Sequence, residues 1–154
     1  MQPQDVFNQA FDKATDEIDA WLQTMATVAA VDLERTAGYW RARLAPRGHN
    51  ACPVELMLSR RQVYDIDIGG ESLVAQPLED VTLFLPLLQA IAAGHVVKRD
   101  WLARATGTTL TREKFVHLSD GRRWSLRRVV MAGTAATETS ALARDHTYLG
   151  YSRS

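Results

Sequence analysis

LEDVTLFLPLLQAIAAG, residues 78–94, is the most apolar run of the chain and separates two polar regions of strand character. Leu78, Val81, Phe84, Leu85, Leu88, Ile91 and Ala92 recur at helical spacing, and Glu79 and Asp80 suit the positive end of a helix dipole. Pro86 interrupts that pattern, because a proline deep in a helix removes a backbone hydrogen bond. The spacing therefore predicts a short turn over 78–84 and a helix over 86–93, stopped by Gly94. A strand over 81–85 is the competing pattern.

N-terminal to this run, Phe7, Phe11, Ala14, Ile18, Trp21, Met25 and Val28 form an a/d seam at alternating spacings of four and three. The seam predicts an amphipathic helix over 4–29. Leu33, Ala37, Trp40 and Leu44 continue it, so 1–45 reads as helical throughout, as one bent helix or as two with Asp32 capping the second. Pro46 and Gly48 end that region. Period two follows. Val54, Leu56 and Leu58, then Tyr64, Ile66 and Ile68, alternate with other residues, and Gly69-Gly70 marks a hairpin. Residues 52–76 read as a three-stranded meander.

C-terminal to the central run, 96–105, 109–118 and 122–130 read as three more strands, with Ser119-Asp120-Gly121 as the clearer turn. A helix-turn-helix over 87–115 is the alternative. The fold expected is α+β: an N-terminal helix or helix pair, and a largely antiparallel sheet of two meanders split by a proline-interrupted apolar helix. Residues 1–131 make one domain, with 1–45 helical and 52–131 the sheet plus central helix. Residues 132–154 form a poorly structured tail in which 148–151 docks as a short peptide.

The 154 residues carry 18 basic and 18 acidic side chains, so the chain as a whole is no electrostatic binder of nucleic acid or anionic membrane. The charge is segregated. Residues 1–37 hold seven acids and two bases, and residues 95–130 nine bases and three acids. Cys52 is the one cysteine, which excludes an internal disulfide and suits a reducing compartment. The N-terminal residues lack the apolar segment of a signal peptide, and the central run is too short to span a bilayer. A soluble, cytoplasmic protein is expected, with no membrane contact.

Candidate chemistry is sparse. Asp65 and Asp67 place two carboxylates on one face of a strand, about 7 Å apart, a spacing usable by a divalent metal or a hydrolytic acid/base pair. The wet face of a half-buried strand gives the same alternation. His49 and Cys52 lie three apart beside a turn, and His95, His117 and His146 are scattered without ligand spacing. No phosphate-binding or hydrolase signature occurs and no cofactor is implied. A second candidate surface is basic: Arg112, Lys114, Arg122, Arg123, Arg127 and Arg128 bracket Phe115 and Trp124, which suits phosphate contact and base stacking. A third is the helix seam, where Phe7, Phe11, Ile18, Trp21 and Met25 are anchors of the kind found at interfaces.

These features give three expectations. The first is a non-enzymatic protein-interaction module (an adaptor, assembly factor or small structural subunit) that binds a protein partner or self-associates through its N-terminal helices. The second is a nucleic-acid-binding module using the basic hairpin. The third is a small metal-dependent hydrolase using Asp65 and Asp67.

Overall fold

The computed structural model describes residues 2–130 and 141–153. It is α+β, with an N-terminal helix, a short central helix and two antiparallel sheets. Helix α1 (Gln4–Thr24) is followed by β1 (Ala29–Arg35), β2 (Tyr39–Pro46), β3 (Val54–Ser59), β4 (Val63–Ile68) and β5 (Glu71–Pro77). These five strands form one sheet in sequence order. A 3-10 turn (Val81–Leu83) leads into α2 (Phe84–Ala92). Then come β6 (Val96–Leu102), β7 (Thr109–His117), β8 (Arg123–Val129) and β9 (Leu142–Thr147), which make a second sheet in the order β8-β7-β6-β9.

Residues 29–46 correct the expectation of helix over 1–45. They form β1 and β2, joined by a turn in which the Thr36 hydroxyl accepts from the backbone N–H groups of Gly38 and Tyr39. The Leu33–Leu44 seam also contains a period of two. Trp40, Ala42 and Leu44 are buried, while Arg41 and Arg43 between them are exposed. Trp40 and Leu44, four apart, fit either period, and pairing with β3 decides it. Trp40 sits opposite Leu58, Ala42 opposite Leu56 and Leu44 opposite Val54. The meander expected over 52–76 thus forms strands β3, β4 and β5 of a five-stranded sheet, extended on one side by β2 and β1.

The tail is the second correction. Residues 142–147 pair with β6 from Val97↔Thr147 to Leu102↔Leu142. All six residues of β9 are exposed, so the strand has no apolar alternation to announce it. The expected tail residues 132–140 lie outside the described residues.

Phe7, Phe11, Ile18 and Leu22 of α1 cover the inner face of the five-stranded sheet and join Trp40, Leu44, Leu56, Leu58, Ile66 and Ile68 in one core. The Trp40 indole donates to Asp19, and Arg35 pairs with Asp16 and Asp19, which fixes α1 over β1 and β2. The central run supplies Leu78, Val81, Phe84, Leu87, Leu88 and Ile91 to the same core.

Pro86 falls in the first turn of α2, where backbone N–H groups have no intrahelical partner to lose. The helix therefore begins at Phe84, two residues before the proline. At its end Gly94 adopts φ +83°, with Gly94 N–H donating to Ile91 and His95 N–H to Ala90. This paired arrangement satisfies the last carbonyls of a helix.

Residues 148–151 then dock on that turn. Leu149 N–H donates to Asn50 and Tyr151 N–H to Ala92, and the Tyr151 hydroxyl donates to the Cys52 carbonyl. A Cβ on Gly94 would lie 2.5 Å from the backbone nitrogen of Gly150, so the two glycines allow this close approach.

Candidate functional site

Three places hold the side chains that carry chemistry: the junction of the two sheets, the open face of the five-stranded sheet, and its β1 edge.

The junction is built where β6 and β7 leave the core. Val96 and Val116 are buried and apolar, but two residues further on the same faces carry Lys98 and Lys114, and then Asp100 and Arg112. Glu71, the first residue of β5, pairs with Ile68 and reaches across from the other sheet. Its carboxylate accepts from Arg112 at 3.2 Å and Arg128 at 3.0 Å. The Lys114 ammonium lies 3.7 Å from that carboxylate and donates to the carbonyls of Ile68 at 2.6 Å and Gly69 at 2.9 Å. Arg112 also donates to Asp100 at 2.7 Å, and Arg144 of β9 approaches the other Asp100 oxygen at 3.5 Å. Glu71, Asp100 and Lys114 are all buried.

Burial pushes the Glu71 carboxyl up, but Arg128, Lys114 and Arg112 outweigh it and hold it below the ordinary range. Asp100 behaves likewise, with burial opposed by Arg112, Lys98 and Arg144. Burial pulls the Lys114 ammonium below its ordinary value against the attraction of Glu71. Burial also pushes the Cys52 thiol up to about 12. Cys52 is wholly buried and His49 is exposed, so the pair read from the sequence does not form a thiolate nucleophile. Among the described residues no buried side-chain nitrogen or oxygen lacks a partner. The junction is thus a satisfied ion-pair lock between two sheets. Sequence reasoning missed Glu71 and Asp100. The available signal was a charge on the inward period of each strand, at the turn after Gly70 and between Lys98 and Leu102.

The open face of the five-stranded sheet is set by register. Asp32, Arg43, Glu55, Asp67 and Ser72 form one cross-strand row, and Glu34, Arg41, Met57 and Asp65 another. Asp65 and Asp67 therefore do share a face, lining a shallow depression of about 310 Å³ with Arg41, Glu55 and Met57. Both carboxylates accept hydrogen bonds within their own hairpin, from two backbone N–H groups and one hydroxyl. Asp65 accepts from Ala75 N–H at 2.6 Å, where β5 bulges with Ala75 at φ +53°. Asp67 accepts from Gly70 N–H and the Ser72 hydroxyl. Among the described residues no three His, Cys, Asp or Glu side chains converge as a metal-binding group.

The basic residues read as one patch are divided between two faces. Arg112, Lys114 and Arg128 turn inward to Glu71 and Asp100. Trp124, paired with Val116, packs on the core. Arg123 lies over the Phe115 ring on the opposite face, which it shares by register with Arg127, and Arg122 pairs with Asp120 in the turn.

The interface seam is also redistributed. Phe7, Phe11 and Ile18 are buried against the chain's own sheet, while Trp21 and Met25 are half-buried at its margin. An interface through the first three would require α1 to leave the sheet.

That margin adjoins β1. The strand pairs with β2 over seven consecutive positions without a bulge, and no described strand pairs with its other side. Val31 is half-buried and Leu33 is 42% exposed, both pointing to the inner face, while Asp32 and Glu34 point outward. The opposite edge, β5, is interrupted by its bulge and closed by Pro77, two devices that block strand addition. Among the described residues, the depressions of about 310 Å³ at Asp65, about 400 Å³ at Gln62 and about 400 Å³ at Val81 are not lined by Glu71, Asp100 or Lys114. Among the described residues no helix is long and apolar enough to cross a membrane. No protein-family model, curated protein or solved structure matches the chain.

Proposed function

We propose that the chain is a non-enzymatic protein-interaction module whose binding element is the β1 edge. The supporting observation is the contrast between the two edges of one sheet. β5 carries a bulge and a proline, whereas the outer side of β1 is flush, pairs with no described strand, and carries half-buried Val31 together with half-buried Trp21 and Met25 of the chain before it. A row of unsatisfied strand N–H and C=O groups beside partly exposed apolar side chains is what strand addition uses. The buried ionisable groups support the same reading, since they are spent on one another rather than on a cleft. Self-association through Phe7, Phe11 and Ile18 is not part of this proposal, because those side chains fill the core.

The test is a photo-crosslinking amino acid placed at Ala30 on β1 and, as control, at Val74 on β5, combined with the solution mass of the complex. Specific crosslinks from Ala30, in a complex of defined mass, are expected. Equal yields from both positions, with the protein monomeric alone and in its native extract, would refute the proposal.

A further inference from the structure

Resting on the proposed interaction role of β1, we infer that this edge takes an extended segment of a partner protein in which apolar residues alternate with lysine or arginine.

The alternation is dictated by the two faces of β1. On the inner face, Val31 and Leu33 continue the apolar rows Leu44–Val54–Ile68 and Ala42–Leu56–Ile66, and Leu33 is left 42% exposed. An added strand must place apolar side chains beside them. On the outer face Asp32 lies opposite Arg43 and Glu34 opposite Arg41, so each of these two rows pairs an arginine of β2 with an acid of β1 and ends on that acid at the open edge. The next position in each row is completed by a base, since opposite charges facing each other across strands stabilise a pair and like charges destabilise it. Ala30 and Ala45 leave a depression of about 180 Å³ beside Asp32 and Arg43, where a long side chain from the added strand fits.

The chain contains a template for this occupant. β2, the neighbour that β1 already has, reads YWRARLAP, with Trp40, Ala42 and Leu44 inward and Arg41 and Arg43 outward. A second copy of β1 does not satisfy the same requirement. Self-pairing about Leu33 sets Asp32 against the partner's Glu34, and self-pairing about Asp32 sets that carboxylate against itself. Self-pairing about Val31 sets Asp32 against Ala30 and again supplies no base, so a basic strand complements the charge at this edge better than a second copy of β1 does.

The test uses the full chain and two peptides. One carries the β2 sequence YWRARLAP, and the other has glutamate in place of its two arginines. Binding is read by fluorescence anisotropy, and β1 protection by hydrogen exchange. The basic peptide is expected to bind and to protect β1 amides, and the acidic one to bind at least tenfold more weakly. The Asp32→Lys/Glu34→Lys protein is expected to reverse that preference, which also shows that the variant is folded. Equal binding of both peptides, or a preference that the charge reversal leaves unchanged, overturns the inference. Crosslinks from Ala30 to a partner segment without alternating bases would overturn it while leaving the interaction role standing. Absence of both peptide binding and Ala30 crosslinks removes the two together.

Discussion

Lys114 is held by two carbonyls and one carboxylate, and its replacement separates their contributions. Lys114→Met keeps the stem volume but takes the ammonium donor from the carbonyls of Ile68 and Gly69 and removes one cation from Glu71. Glu71 keeps Arg112 and Arg128, so the loss is smaller than for a buried pair broken outright. The expected destabilisation is about 2–3 kcal/mol, read from chemical denaturation. Gly94 makes a sharper case. Gly94→Ala places a side chain at positive φ and 2.5 Å from the Gly150 nitrogen. The left-handed backbone alone costs roughly 1–2 kcal/mol, and the clash adds to it. A lowered melting temperature and faster exchange of the Tyr151 amide are expected together, because the docked segment must move away.

At the scale of elements, α1 is a core helix, and this changes what its substitutions do. Phe11→Ala is expected to cost about 3–5 kcal/mol of stability, as for a fully buried phenylalanine, and to act whether or not a partner is present. Trp21→Ala, at the half-buried margin, is expected to lower stability less and partner affinity more; thermal melts and binding assays on the same samples separate the two. The seam was legible as a helix because it repeats over three heptads and nothing else fits it. The continuation over 33–44 was not, since Trp40 and Leu44, four apart, fit both a helical spacing and a period of two, and only pairing with β3 chooses between them. β9 left no hydrophobic trace because both of its faces are wet. Central helix α2, its proline and its glycine stop were legible, since each follows from backbone chemistry that packing does not override. The junction was the least legible feature. Glu71 and Asp100 meet only after two sheets separated by the central run have folded against each other.

For the whole molecule, the junction makes stability depend on pH. The Glu71 and Asp100 carboxyls have folded values below their unfolded ones. In the interval between those values the unfolded chain binds more protons, so stability rises with pH there. The contribution is present above the ordinary carboxylate range, near pH 4, and is lost as pH falls through the depressed folded values. Denaturation midpoints measured from pH 7 to pH 2 should fall on the acid side. Asp100→Asn should start lower at neutral pH and fall less steeply, and an acid limb of unchanged slope would show that other groups dominate it.

Lys114 is one of three lysines in the chain, beside the exposed Lys13 and the half-buried Lys98. An amine-reactive reagent can therefore acylate Lys13 at once and Lys98 more slowly, but can reach Lys114 only when the two sheets part. Its labelling rate, followed by peptide mass spectrometry, becomes a clock for that opening. A native chain offers few positions at which a single side chain reports the breathing of a whole joint, and here the reporter is already in place.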